Sequence, residues 1–472
     1  MTDPPKQRMR RISQPLPDAH VGIRFTKAGI FSLLILITLL LLLFSGQLLV
    51  NLFQVHSSHS KAVSASARSN SIPKSKNSTI LTPTPTQDLN AASPIFTPGN
   101  TSLTPLQLPA GYSVIYQRAG GLYIISSSDS VSLKIPATGY VYSEAVPPIL
   151  TPSGQLLYSG NGIWLIDPFE GTPVQIAQLL PGQVITSMAM SKDGTKIAWS
   201  TEDVDDTGNT YIFAGPLAGP TMVYEQPALE CPCFRIFSFD SGTGAQADNT
   251  LLLTDDRGSN EAVQYGLWSL DLTQTPLVPQ LILDENPQQG PLALTPQGSG
   301  LLYSSNEGAV PVPTDKSVPT SIAALSYAND LNLTTFSGSK LTLGTSQIVL
   351  EKQDDLSNSA QYHWVTTPLF SPDTRTLAYI EFSSDTQDPY DRHSALYTVQ
   401  ISGSGAHIHA GKPRLIATST EHLMELGAWF NNHIITFYSD GSLYAMDLQT
   451  NALTTLAQTN TYASIVAVIG SP

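Results

Sequence analysis

The decapeptide Ser191-Lys192-Asp193-Gly194-Thr195-Lys196-Ile197-Ala198-Trp199-Ser200, a tight turn feeding a strand that ends in an aromatic, recurs in degraded form along most of this chain. Its relatives are Thr151-Pro152-Ser153-Gly154-Gln155-Leu156-Leu157-Tyr158-Ser159, Thr295-Pro296-Gln297-Gly298-Ser299-Gly300-Leu301-Leu302-Tyr303-Ser304 and Ser371-Pro372-Asp373-Thr374-Arg375-Thr376-Leu377-Ala378-Tyr379-Ile380. Pro and Gly supply the turn dihedrals, and the apolar and aromatic residues after them suit a pleated, buried strand. Each copy therefore reads as strand, turn, strand.

A second strand recurs with each turn: Gly121-Leu122-Tyr123-Ile124, Gly162-Ile163-Trp164-Leu165-Ile166-Asp167, Thr210-Tyr211-Ile212-Phe213, Gly266-Leu267-Trp268-Ser269-Leu270-Asp271, Ala395-Leu396-Tyr397-Thr398-Val399 and Ser442-Leu443-Tyr444-Ala445-Met446-Asp447. It reads as the third strand of a four-stranded unit. Repeats spaced about 40 to 60 residues apart mean solenoids or propeller blades, and with no helical period visible the reading is an all-β propeller. Units start near Tyr112, Ala145, Val184, Phe234, Pro291, Trp364 and Glu425, which makes about seven blades. Six or eight also fit, because the fifth unit carries a long excursion at 310–320 and surplus strands at 331–350. Tyr112-Ser113-Val114-Ile115-Tyr116 looks like a second strand without an innermost one, and Ser464-Ile465-Val466-Ala467-Val468-Ile469 is a strand left over at the other end. Together they would close one blade, pairing edges that would otherwise be exposed.

The Ser/Thr-Pro-Asp/Ser-Gly turn, the short strand ending in Tyr or Trp, and the Leu-Trp/Tyr strand ending in Asp are similar to TolB-type WD-like propeller repeats. The resemblance covers residues 109–472. It implies a propeller and, for function, only that such propellers bind proteins, sense, or assist enzymes. Two units depart from the pattern: an insertion follows Phe239-Asp240-Ser241-Gly242, and Trp429-Phe430-Asn431-Asn432 lacks both Pro and Gly.

Upstream of the repeats the composition changes twice. Residues 28–53 contain no charged side chain and are mostly Leu, Ile and Phe. As a helix they would extend about 39 Å, enough to cross a hydrocarbon core of roughly 30 Å with tilt. A cleaved signal peptide is the rival reading, but the apolar run exceeds a normal signal core. Lys6, Arg8, Arg10, Arg11, Arg24 and Lys27 precede the run and the next cation is Lys61, so residues 1–27 are expected to form a short cytoplasmic tail. Residues 54–108, dominated by Ser, Thr, Pro, Asn and Ala, read as an extended linker that holds the propeller outside the membrane. From residue 111 onward the net charge is −21, from 13 Lys and Arg against 34 Asp and Glu, which argues against nucleic acid as a partner.

Propeller topology puts first-to-second strand turns on one face, and second-to-third and blade-to-blade connections on the other. The second class is expected to be long, and to gather Asp203, Asp205, Asp206, Asp255, Asp256, Asp354, Asp355, Asp385, Asp388 and Asp391 on one face. That face reads either as a solvated surface or as a site for a cation or basic partner. Asp203, Asp205 and Asn209 alternate as in a calcium loop, but position twelve would be Ala214 where that motif needs Glu; no cofactor is expected beyond this weak calcium motif. Cys231-Pro232-Cys233 offers too few thiolates for zinc and too short a span for an unstrained disulfide. There is no Gly-x-Ser-x-Gly elbow, and His363, His393, His422 and His433 are scattered.

The sequence thus points to a membrane-anchored, extracytoplasmic binding or scaffold propeller for a protein, peptide or envelope polymer. A hydrolase with carboxylates in the central funnel and an envelope sensor are the alternatives. The expected topology has a direct test: protease added to intact cells should remove the C-terminal domain and leave a small anchored fragment. Digestion only after lysis would reverse it.

Overall fold

The computed structural model describes residues 106, 108 and 110–470 apart from 127–130, 205–207, 228–232, 241–247, 256–264, 285–289, 312–323, 338–340, 345–346, 351–360, 386–391, 404–407 and 420–423. Residues 1–105, including the apolar run at 28–53, lie outside the described residues. Among the described residues no helix is long and apolar enough to cross a membrane.

The described strands form seven antiparallel sheets, each built outward from an inner strand: a seven-bladed β-propeller. Inner strands begin at Ala463, Ile149, Gln183, Phe234, Leu292, Gln361 and Met424 for blades 1 to 7. In blades 5 and 6 the outer position is shared by two short strands, Thr342–Leu343 with Gln347–Leu350 and His409–Ala410 with Arg414–Ser419. Blade 1 is closed by both ends of the repeat region. Ala463–Gly470 is its inner strand and pairs antiparallel with Tyr112–Arg118, in register from Tyr112 opposite Gly470 to Arg118 opposite Ala463, with one bulge after Ile115.

The turn motif owes its recurrence to one hydroxyl. Ser191 Oγ accepts from the Lys196 backbone N at 2.9 Å, Thr151 Oγ1 from Gln155 at 3.0 Å, Thr295 Oγ1 from Gly300 at 2.9 Å and Ser371 Oγ from Thr376 at 2.9 Å. Each hydroxyl thereby ties the entry of the turn to the start of the second strand. Gly194 sits at φ 72°, where glycine meets no steric cost, and Thr374 takes the equivalent place in blade 6 at φ 64°. Blade 7, without Pro or Gly, uses an amide instead: Asn431 Oδ1 accepts from the backbone N of His433 at 2.9 Å and of Ile434 at 2.8 Å. The Asp that ends the third strands is also structural. Asp167 Oδ1 accepts from Phe169 N, Asp271 Oδ1 from Thr273 N and Asp447 Oδ1 from Gln449 N, at 2.8 to 2.9 Å.

The aromatics of the two repeated strands are cross-strand partners. Tyr116 faces Tyr123, Trp199 faces Phe213, Tyr379 faces Tyr397 and Phe437 faces Tyr444. All four pairs stack, with centroids 5.0 to 5.5 Å apart, an arrangement that adds to area burial. Second strands lie between two neighbouring blades, so both their faces are covered, and Thr250–Asp255 and Ile434–Ser439 are buried at every residue. Outer strands are the more exposed, as in the mostly exposed Val174–Gln178.

Apolar clusters seal each of the seven seams between neighbouring blades. The seam of blades 7 and 1 joins Ile434, Tyr438, Leu443 and Ala445 to Val114, Tyr116, Ala463 and Ile465. Gly427 on the inner strand of blade 7 allows this approach, since a Cβ there would lie 2.6 Å from Ile465 Cβ and 2.5 Å from Thr436 Oγ1.

Loop lengths vary around the ring. Second-to-third connections are long only in blades 3 to 6, while blades 1, 2 and 7 use the two-residue hairpins 119–120, 160–161 and 440–441. In blade 4 the first turn spans 240–249, the insertion that the sequence carries after Phe239-Asp240-Ser241-Gly242. The surplus strands of the fifth unit are its third and outer strands, Ala324–Ser337 and the pair flanking 345–346.

Deleting residues 463–472 removes the inner strand of blade 1 and opens two seams. Burial of the Ile465 side chain alone contributes roughly 1.5–3 kcal/mol, against a total of about 5–15 kcal/mol for a domain. The truncated chain should lose its cooperative thermal transition or melt far below the parent. A melting temperature within a degree or two of the parent would show that the closure is not structural.

Candidate site at the blade 7–blade 1 mouth

Blade-to-blade connections and second-to-third hairpins share the face on which the inner strands begin. On that face the connection 136–148 crosses from blade 1 to blade 2. It rests on the 160–161 hairpin so closely that a Cβ on Gly160 would lie 2.0 Å from the Gly139 carbonyl oxygen. Tyr158 donates its hydroxyl to the Thr138 carbonyl at 3.0 Å. Gln117, fully buried in the second strand of blade 1, holds the same connection twice: its Oε1 accepts from Tyr140 and its Nε2 donates to the Ser143 carbonyl at 3.3 Å.

This strap brings Tyr142 and Glu144 toward Glu425, the second residue of blade 7's inner strand, and Tyr462, which immediately precedes the inner strand of blade 1. Tyr142 donates to Glu144 Oε1 at 2.8 Å. Glu425 accepts from Tyr462 through Oε2 and from Ser464 Oγ through Oε1, the latter at 2.9 Å. Two carboxylates and several hydroxyls from blades 7 and 1 and the strap therefore meet at one mouth.

Burial raises the Glu425 carboxyl above the usual carboxylate range, against the two hydroxyl donors that lower it and with help from the Glu144 charge. Burial is also the main cause that raises Tyr462, followed by the charge and hydrogen bond of Glu425. Tyr142 is raised by burial and by Glu144. Both phenols stay protonated and act as donors at neutral pH. By contrast, Asp193 in the blade 3 turn is lowered to about 2 by hydroxyl and backbone donors, which is turn chemistry on the opposite face.

The acidic residues expected in long loops are only partly gathered. Asp203 ends its strand and accepts from Gln183 Nε2 at 3.3 Å and from Tyr211 at 3.0 Å; Asn209 Nδ2 donates to the same Tyr211 hydroxyl at 3.4 Å. Asp255 is no loop residue but the buried end of its strand, 3% exposed, because the ladder runs to its pairings with Phe234 and Tyr265. Its Oδ1 accepts from Cys233 N at 2.8 Å, so it is removed from the proposed surface charge. Asp385 is the last residue of the strand Thr376–Asp385. Asp205, Asp206, Asp256, Asp354, Asp355, Asp388, Asp391 and Cys231 lie outside the described residues. Among the described residues there is no group of three or more His, Cys, Asp or Glu that could hold a metal ion. Sequence reasoning missed Glu144, Glu425, Tyr142 and Tyr462; the one available signal was the run Tyr140-Val141-Tyr142-Ser143-Glu144, two phenols and a carboxylate in a connection between repeats.

No protein-family model matches the sequence, and no curated protein matches it. Solved structures with a similar fold include a protein from Lactobacillus plantarum, at 14% identity and a TM-score of 0.46, covering 76% of this chain and 99% of that one. An oligogalacturonate lyase in complex with manganese gives 10% and 0.34, covering 76% and 78%. A TolB candidate from Agrobacterium tumefaciens gives 11% and 0.34, covering 77% and 100%. These likenesses concern the fold alone. The described strands form a seven-bladed propeller, and a propeller is what the resemblance to TolB-type repeats implies.

A carboxyl raised in the folded state favours folding at low pH. The contribution of Glu425 is fully present below its unfolded value of about 4.3 and is lost as pH rises through its raised folded value. Glu425→Gln should therefore gain melting temperature relative to the parent between pH 4 and pH 7. A difference that stays constant over that range would place Glu425 in an ordinary, solvated setting.

Proposed function

We propose that the chain is a membrane-anchored, extracytoplasmic propeller that serves as a non-catalytic binding or scaffold module for a protein, peptide or envelope polymer. The anchor is the apolar run at 28–53, with cations concentrated before it. One observation carries the non-catalytic reading: both carboxylates of the mouth are engaged by neighbouring hydroxyls, Glu144 by Tyr142 and Glu425 by Tyr462 and Ser464. A working acid–base pair needs carboxylates turned toward a shared space where the reacting bond can sit. A mouth whose carboxylates each accept hydrogen bonds from neighbouring hydroxyls suits docking better.

The alternative is a propeller-type hydrolase, and the raised Glu425 beside the charge of Glu144 is the observation on its side. The acidic face supports a cationic partner in the binding reading, with Asp203, Asp205, Asp206, Asp385, Asp388 and Asp391 adding to Glu144. Decalysine is a suitable probe. Changing Asp203, Asp205 and Asp206 to Asn, or Asp385, Asp388 and Asp391 to Asn, in the full chain should weaken binding several-fold and flatten its salt dependence, since salt screens exposed charge. If both triple variants bind as tightly as the parent at low salt, the acidic loops are only a solvated surface.

A further inference from the structure

Next to the mouth, blade 7 carries an open cleft of about 570 Å³, within the usual range for small-ligand sites. Two turns form it. In the hairpin 440–441, Asp440 and Gly441 both take positive φ, 48° and 78°, the pattern of a tight type I′ turn. The turn after Leu453–Gln458 is fixed to it, because Thr459 N and Asn460 N donate to the Gly441 carbonyl at 2.8 and 3.1 Å. Below them Tyr438 accepts from Gly441 N at 3.0 Å and packs edge-on against Tyr462, so the cleft adjoins the Glu425 cluster.

The chemistry of the lining narrows the ligand. Besides Tyr438, the cleft is lined by Asp440, Gly441, Ser442, Gln458, Asn460 and Thr461. No Lys or Arg stands among them and Asp440 is negative, which disfavours an anion; Arg118, which donates to the Thr459 carbonyl at 3.2 Å, is not among the lining residues. Polar groups dominate, which disfavours an apolar ligand. Both Asp440 oxygens accept from seryl hydroxyls, Oδ1 from Ser419 Oγ at 2.7 Å and Oδ2 from Ser439 Oγ at 2.8 Å, which fixes the carboxylate on the blade and leaves the lone pairs that remain as acceptors for a hydroxyl or a cation. With it stand two exposed amides and two hydroxyls. Each amide offers an acceptor and two donors, the complement of adjacent hydroxyls on a ring.

We propose that this cleft binds a neutral saccharide. The inference rests on the binding-module reading and narrows the envelope polymer to an uncharged glycan held at blade 7.

The test is titration calorimetry of the full-length chain with neutral tetrasaccharides of glucose, N-acetylglucosamine and mannose, with trigalacturonate and trilysine as charged counterparts. At least one neutral probe should bind at least tenfold more tightly than either charged one. Asn460→Gly combined with Gln458→Ala should weaken it at least tenfold at unchanged melting temperature, since glycine accepts the φ of 55° at position 460. Should the pair lower the melting temperature, Gln458→Ala alone, on an exposed side chain, carries the comparison. Absence of saccharide binding, undiminished binding by the variants, or tightest binding of trilysine with loss in Asp440→Asn would each overturn the saccharide site. If a protein partner is nevertheless retained by the parent and by these variants, the binding-module reading stands without it.

Discussion

The structure depends on the seam where the chain meets itself. Six of the seven blade-to-blade contacts join neighbours along the sequence, but the seventh brings blade 7 against a blade assembled from Tyr112–Arg118 and Ala463–Gly470. Until that contact forms, two blades present unpaired apolar faces and the second strand of blade 1 is an open edge. The contact spans more than 300 residues of chain, as in the bond from Arg118 Nη1 to the Thr459 carbonyl at 3.2 Å. Closing so long a loop costs entropy, and the combined apolar burial of all seven seams is what offsets it.

The same seam carries the candidate chemistry. Glu425 from blade 7 accepts hydrogen bonds from Tyr462 and Ser464 of blade 1, at the level where apolar packing gives way to solvent. Polar groups at such a level must be satisfied if they are removed from water, and here they satisfy one another across the closure. Hydroxyls play a similar part elsewhere in the ring, as when Ser187 Oγ accepts from Ile236 N at 2.6 Å between blades 3 and 4. Ring closure and the architecture of the mouth are therefore one problem, solved by the same residues.

The asymmetry of the ring bears on function. Blades 7, 1 and 2 have two-residue hairpins on the mouth face, while blades 3 to 6 carry the longer connections. The strap 136–148, the Glu425 cluster and the blade 7 cleft lie on the short side. Asp203 and Asp385 end the second strands of blades 3 and 6, on the same face as the blade 7 cleft.

Most of the fold was legible in the sequence because each blade is built from a local rule. A hydroxyl, a turn residue of positive φ and a pair of stacking aromatics lie within about thirty residues, so periodicity exposes them. The fifth unit was opaque for the converse reason: Tyr303 faces Asn332 instead of an aromatic, so its third strand bears no signature. Asp255 looked like loop charge because the extent of a ladder depends on its partners and not on the residue itself. The four-stranded unit, its turn chemistry and the pairing of Tyr112–Arg118 with Ala463–Gly470 were thus legible in sequence, through short-range geometry and unpaired edges, whereas the choice of seven blades over six or eight came from the structure. The meeting of Glu425 and Tyr462 with Tyr142 and Glu144 was decided only by tertiary structure, since residues hundreds of positions apart become neighbours only when the ring closes; the blade 7 cleft needed the pairing that sets the 440–441 hairpin against the turn after Leu453–Gln458.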